Sequence, residues 1–371
     1  VVIGTGAGGA VVARELAEAG VAVVMIEEGR YFERHDFTGR PFAMQQQMYR
    51  AGGATFSVGN VAIPIPIGVT VGGTTTVNSG TCYRAPAHVL AHWRDDLGVR
   101  GFSTEELAPH YERVERVLGV APTAAALLGG CARVVARGCD ALGFRHAPLL
   151  RNAPDCDGQG VCCFGCPTDA KRSTNVSYVP LALRAGAELF TRARAERVIV
   201  EGGRAVGVEA RSASGRRLTV RARAVVVAGG ALVTPIFLER NHLGGASGQL
   251  GRNLSIHPAA GALAEFDEPI ESWRGVPQGL AIEEFRDEGI LFEGAATPLE
   301  FTAALMSQLG PRLIELCERF DRIASFGLMV EDTSRGRVRL VGERPVVTYV
   351  LNDADLARLR RGLDQIGRAH V

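Results

Sequence analysis

Three groups of residues in this 371-residue chain have types and spacings suited to chemistry. The first is Gly4-x-Gly6-x-x-Gly9, preceded by the apolar Val1 to Ile3 and followed by a helical segment and a second apolar run, Val21 to Ile26, that ends on Glu27 and Glu28. Gly4 permits a tight turn out of a strand, Gly6 lets the backbone approach a pyrophosphate, and Gly9 lets the helix pack closely on the sheet. The phosphates then meet the positive end of the helix. Glu27 lies 18 residues beyond the last glycine (27 − 9), where a carboxylate accepts hydrogen bonds from a ribose diol and repels a 2′-phosphate. A dinucleotide other than NADP is therefore expected. Strand, glycines, helix, strand and acid in that order outweigh the reading of the glycines as plain turns.

The second group is Cys156-Asp-Gly-Gln-Gly-Val-Cys162-Cys163-Phe-Gly-Cys166-Pro167, which holds half of the chain's eight cysteines. Thiolates at Cys156, Cys162 and Cys166 have the spacing of an iron-sulfur run with a proline after the last ligand. A zinc knuckle would need a fourth ligand, and Cys163 could supply it only with awkward geometry. The third reading is a glycine-rich loop whose small thiols simply pack. The third group is the histidines. His257 and His370 are the candidates for a base, and neither receives a catalytic role. His35, His88, His92, His110, His146 and His242 read as surface residues on loops or polar helix faces.

Composition narrows the classes. With 46% hydrophobic and 22% charged residues the chain reads as a globular protein with room for two domains. A net charge of +1 argues against nucleic acid or an anionic membrane as a general electrostatic partner. No apolar run is long enough to span a bilayer; the one around Val61 to Val71 is broken by Pro64 and Pro66. Cysteine usage favours a reducing compartment, so a cytoplasmic location is expected.

The elements that must position these residues follow from periodicity. A short helix is expected over Phe42 to Arg50, and Gly72-Gly-Thr-Thr-Thr76 reads locally as a bulge with threonines on it. Ser103-Thr-Glu-Glu106 is a capping box opening a helix, and a second helix is expected over Thr123 to Leu142, carrying Cys131 and Cys139 as core thiols. Arg197 to Glu201, Ala205 to Ala210 and Arg217 to Arg221 alternate as an antiparallel meander that returns to the buried strand Ala224 to Ala228. Beyond residue 259, strands at Gly261 to Phe266, Gly279 to Phe285, Ile323 to Glu331, Arg337 to Val341 and Val346 to Leu351 surround a helix near Pro298 to Phe320. The fold class is α/β with α+β character: a Rossmann-like domain with a central parallel sheet, plus a domain of antiparallel sheet covered by helices. The expected division is 1–258, with inserted helices at 87–142 and the cysteine-rich loop at 151–176; then 259–352 for substrate; then 353–371 returning to the first domain.

Taken together, the opening stretch, Val71-Gly-Gly-Thr-Thr-Thr-Val-Asn78, Ala224-Val-Val-Val-Ala-Gly-Gly-Ala-Leu-Val-Thr-Pro235, the stretch Trp93 to Phe102 and Gly251-Arg-Asn-Leu-Ser-Ile-His-Pro258 resemble the glucose-methanol-choline (GMC) family of FAD-dependent oxidoreductases. The resemblance spans nearly the whole chain. Cys82, and Asn241-His-Leu-Gly244, depart from the family pattern without removing a backbone contact to the cofactor. It implies FAD held by Gly4, Gly6, Gly9, Glu27, Gly72, Gly73, Asn78, Ala195 and Gly229. It also implies oxidation of an alcohol CH–OH by hydride transfer to flavin N5, with electrons passed to oxygen or a redox protein. The many apolar residues beyond 259 lean toward an apolar alcohol.

Two alternatives follow from the same resemblance. The cysteine segment is similar to that of family dehydrogenases whose iron-sulfur cluster passes electrons to a cytochrome, and the chain could also be a non-catalytic FAD-binding module. The family's catalytic pair, a His with a second His or Asn, belongs to a C-terminal segment not found before Val371, and only Val1 to Ile3 precede the first glycine, where a buried strand normally has about 5 residues. The chain is thus expected to be truncated at both ends, with its bases outside it. Val77 occupies the position at which some family members attach FAD through a histidine, so attachment is expected to be non-covalent. Acid precipitation of the flavin-loaded protein should leave all yellow colour in the supernatant; flavin retained in the pellet would refute this.

Overall fold

The computed structural model describes residues 1–294, 296–306, 308–342 and 344–370. The β-branched Val2 and Ile3 form strand β1 (Val2–Ile3), buried on both sides between β2 (Val24–Ile26) and the strand Val226–Val227, and Glu188–Phe190 adds to the outer edge of β2. All three pairings are parallel. Helix α1 (Ala7–Glu18) crosses between β1 and β2 and buries a face of small residues, Gly9, Ala10, Ala13 and Ala17. A side chain on Gly9 would place its Cβ 2.0 Å from the Gly4 carbonyl oxygen, so glycine alone allows this approach. The expected strand from Val21 is shorter: Gly20 ends the helix at φ +78° and Val21 is exposed.

The meander forms as a separate three-stranded antiparallel sheet of Ala193–Glu201, Arg204–Ser212 and Arg217–Arg221. It returns the chain to Val226–Val227 beside β1.

The second layer differs in partnership from the sequence pattern. Its five-stranded sheet runs in the order Ala259–Glu265, Ile323–Val330, Ile290–Glu293, Leu280–Ile282, His146–Pro148, with antiparallel neighbours throughout. The last of these comes from well before residue 259. Gly336–Val341 and Arg344–Thr348, expected in the same layer, instead pair as a hairpin and form another sheet with Arg252–Leu254. Alternation marks a stretch as a strand but does not name its neighbour, because both edges of every strand carry the same unpaired backbone groups.

The helix expected near 298–320 is two helices, Leu299–Leu305 and Pro311–Glu318. Gly310, at φ +61°, and Pro311 at the first helical position separate them. The helix expected from Thr123 begins at Gly130, after a short 3₁₀ turn, and keeps Cys131 and Cys139 buried. Burial pushes both thiols up to about 11, as inert core cysteines. The capping box at Ser103 and Glu106 is formed from both sides. Among the described residues, no helix is long and apolar enough to cross a membrane.

The final helix, Asp353–His370, lays Leu359 and Ile366 against Phe292, Ala324, Phe326 and Leu328 of the sheet. Its first turn is fastened by Asp355, fully buried, which accepts from the backbone and hydroxyl of both Thr333 and Ser334 and from Arg358. Burial alone would raise this carboxyl, but the hydrogen bonds from Ser334 and Thr333 prevail and hold it below its ordinary value. A depressed folded pKa adds stability that is present above the unfolded pKa and is lost as pH falls through the folded one. Asp355→Asn should therefore lower unfolding free energy by about 2–4 kcal/mol at neutral pH. The deficit, read from urea denaturation, should shrink in acid; an equal deficit at both pH values would refute the assignment.

Candidate functional site

The glycine turn is held by one buried carboxylate. Gly4, at φ +92°, donates its N–H to the Ile26 carbonyl at 2.8 Å, and a Cβ there would come 2.4 Å from the Ala228 carbonyl oxygen. Thr5, fully buried, donates both its N–H (3.0 Å) and its hydroxyl (2.7 Å) to Glu27 Oε2, while Gly29 N–H donates to Glu27 Oε1 at 2.9 Å. The Thr5 hydroxyl in turn accepts from Gly72 N–H at 3.0 Å, and Thr174 Oγ1 donates to the Thr5 carbonyl at 2.9 Å. Burial raises the Glu27 carboxyl despite the bonds from Gly29 and Thr5 that favour its charged form. Glu27 thus ties the end of β2 to the glycine turn and, through Thr5, to the middle glycine block.

These elements enclose a cleft of about 960 Å³. Of the residues expected at the cofactor, Gly4, Gly6, Glu27, Gly73, Ala195 and Gly229 line it. Gly6 precedes α1 in extended conformation (φ −67°, ψ −165°), and a Cβ on it would meet nothing closer than 3.9 Å. The space beside Gly6 is open toward the cleft, where a pyrophosphate needs the backbone. Gly9 lies behind the wall, packed on Gly4, and Gly72 stands behind Gly73 at φ +94°. Asn78 lies outside the cleft wall: it is exposed, and its carbonyl accepts from Lys171 Nζ at 2.5 Å.

Sequence reasoning passed over several wall residues. Glu28 is paired with Arg50 Nη2 at 2.7 Å and approached by Arg194 Nε at 3.9 Å, both arginines also facing the cleft. Arg50 sits in a turn of left-handed residues, Ala51 to Gly53, that no periodicity marks. The middle block is a 3₁₀ turn over Gly73–Thr76 rather than a bulge, with Thr75 Oγ1 donating to the Gly72 carbonyl at 2.6 Å and Thr76 buried on Val71.

The cysteine-rich loop packs against that block through Lys171, 1% exposed, whose Nζ donates to the carbonyls of Thr76 (2.8 Å), Asn78 and Cys162 (2.8 Å). Tyr49 bridges the same two segments, donating to Cys163 O at 2.6 Å. All eight cysteines are free. Among the described residues no group of three or more His, Cys, Asp or Glu is arranged to hold a metal. Nothing in this arrangement supports the iron-sulfur reading of Cys156, Cys162 and Cys166; the Cys162 sulfur accepts from the Arg151 guanidinium at 3.2 Å. His257 is exposed, whereas His146 and His242 are half-buried rather than fully exposed.

Lys171→Met should leave three carbonyls without their donor and lower stability by about 2–4 kcal/mol in urea denaturation. A loss below about 0.5 kcal/mol would show that Lys171 does not hold the two segments together.

The family described as GMC oxidoreductase matches residues 45–259. An uncharacterised GMC-type oxidoreductase of Mycobacterium tuberculosis is 42% identical over 370 residues, which cover 99% of this chain and 59% of that protein. One of Sinorhizobium fredii is 33% identical over 100% of this chain and 73% of its own length. A long-chain-alcohol oxidase of Arabidopsis thaliana is 30% identical over 100% of this chain and 52% of its own length. The chain therefore spans between about half and three quarters of the relatives it matches. Among solved structures, pyridoxine 4-oxidase from Mesorbium loti superposes with a TM-score of 0.76 at 19% identity, over 99% of this chain and 79% of that one. Formate oxidase from Aspergillus oryzae gives 0.73 at 14%, over 99% and 80%. By the matched residues and the identity to its relatives, this chain belongs to the GMC oxidoreductases.

Proposed function

We propose that the chain is the FAD-binding portion of an oxidoreductase that takes a hydride from the CH–OH group of an apolar alcohol and passes the electrons to oxygen or a redox protein. The observation that carries this reading is the cleft in which Gly6, the start of α1 and Gly73 leave backbone exposed beside open space. The residues present fit the cofactor. Gly4 and Gly6 allow backbone contact with a pyrophosphate, the N–H groups opening α1 point at its charge, and Ala195 with Ile236 and Phe237 offers an apolar wall for an adenine. When bound, FAD supplies the hydride acceptor.

The chain's own residues bind and orient. Glu27 and Thr5 hold the glycine turn, and Gly73 to Thr75 form the opposing wall. Val77, buried, offers no nucleophile for covalent attachment. We assign no residue of this chain as the base. Two features support an apolar alcohol. One is that the Arabidopsis thaliana relative is a long-chain-alcohol oxidase. The other is the sheet face turned away from the final helix, where Leu263, Leu291 and Met329 stand among Gly261, Ser325 and Gly327.

Gly6→Val separates fold from function. Its backbone suits any residue and its Cβ would come no closer than 3.9 Å to another atom, so the apo-protein should unfold within about 0.5–1 kcal/mol of wild type. FAD affinity, followed by quenching of flavin fluorescence, should fall on the order of 100-fold, or roughly 2.7 kcal/mol. Unchanged affinity would overturn the site. In the whole protein, anaerobic addition of a long-chain primary alcohol should bleach the flavin bands; bound FAD that no alcohol reduces would overturn the substrate reading.

A further inference from the structure

The five-stranded antiparallel sheet carries one group that the flavin reading leaves unused. Glu293, 6% exposed, ends the strand Ile290–Glu293 in the middle of that sheet. Among the described residues no cation pairs with it. Burial raises its carboxyl, opposed by a hydrogen bond from the Tyr83 phenol. A carboxylate without a cation is costly to bury, and an apolar side chain of similar size would suit the fold better. Such groups concentrate at functional sites.

Strand register places Glu293 on the face turned away from the helices. Ile290 and Phe292 pack with Ala324, Phe326, Leu328 and Val330 in the core that takes in the final helix, so the alternate residues Leu291 and Glu293 project from the opposite face. Ala281 is paired with Glu293 on one side, and Ala147 is paired with Ala281 beyond it. On the other side the pair Phe292–Leu328 sets Glu293 level with Gly327, which is itself paired with Gly261. The row across the five strands thus runs Ala147, Ala281, Glu293, Gly327, Gly261. One carboxylate stands among four residues with nothing larger than a methyl group, which leaves a trough in the sheet face. Gly261 and Leu263 are exposed at one edge of it, Gly327 and Met329 are half-buried, and Glu293 is buried at its inner end.

That inner end adjoins the block that walls the cleft. Ser79 and Thr81, just beyond Asn78, both donate to Gln278 Oε1, Thr81 at 3.3 Å, and Gln278 leads into Leu280–Ile282, the strand beside Glu293.

We propose that this trough seats the alkyl chain of the alcohol substrate and that Glu293 accepts the hydrogen bond of its hydroxyl, an inference that rests on the alcohol reading given above. One polar group at the closed end of an apolar trough fixes which end of the substrate enters first. An alkane in the same place leaves the buried carboxylate short of a donor, and the cost of that shortage supplies the selectivity for a hydroxyl.

The test uses the full chain and n-octanol. Infrared difference spectra on adding n-octanol should show a shifted carboxyl band that Glu293→Gln removes, and octane should shift nothing. Urea denaturation of Glu293→Leu should give a midpoint equal to or above that of the unaltered chain, because a group kept for a ligand does not hold the fold. In the flavin-loaded protein Glu293→Gln should raise the KM for n-octanol about tenfold and leave kcat within about threefold. A midpoint lowered in both Glu293→Leu and Glu293→Gln would make the carboxylate structural and overturn the proposal. A carboxyl band that answers octylammonium and ignores n-octanol would overturn it too. If n-octanol bleaches the flavin and its KM is unchanged by Glu293→Gln, this inference alone fails; bound flavin that no alcohol reduces in the unaltered protein would overturn the alcohol reading and the role of Glu293 with it.

Discussion

The structure depends most on the buried Glu27 carboxylate. It accepts from Thr5 twice and from Gly29, and the Thr5 hydroxyl relays the connection to Gly72. Three segments far apart in sequence are thereby held in one register: the end of β2, the turn into α1 and the middle glycine block. A carboxylate is costly to bury unless its lone pairs are occupied, and here three of them are. The same bonds fix both walls of the cleft. Glu27 is therefore a framework residue as well as a cleft residue, and Glu28, paired with Arg50, carries the more accessible charge at that end.

A second tie, made by a cation, joins the cysteine-rich loop to this framework. Lys171 is buried with three carbonyl acceptors and, among the described residues, no carboxylate partner, so its charge is met by dipoles and thiols. Burial lowers its pKa, with the thiols opposing that shift. The loop adds an apolar anchor to this polar fastening, because Phe164 is buried with Phe32, Phe37, Met44, Met48 and Val77. The result places Asn78 and Thr76 under the control of a segment nearly a hundred residues later in the chain.

Glycine geometry sets how close the backbones come. The contact between Gly4, Gly9 and Ala228 has no room for one added carbon, whereas Gly6, in the same motif, has open space. Residues of one type in one motif thus serve opposite ends: two are demanded by packing within the protein and one is left bare for a ligand. Folding stability and ligand binding separate at that position.

The sequence alone determined the βαβ opening, the meander, the capping box at Ser103, the core cysteines on one helix, and the relation to the GMC oxidoreductases. Each rests on local physics: the period of apolar residues, a capping pair three apart, a glycine where a turn requires it. Tertiary structure decided what depends on partners. It chose His146–Pro148 as the fifth strand and moved Gly336–Thr348 to another sheet, since a strand's pattern is silent about its neighbour. It broke the helix at Gly310 and Pro311. It put Arg50 and Arg194 beside Glu28 and Arg151 beside Cys162, pairings separated by up to 166 residues (194 − 28) that no spacing rule records. Asn78, chosen by motif, lies outside the cleft wall with its carbonyl bonded to the buried Lys171, a contact across 93 residues (171 − 78) that the sequence does not mark.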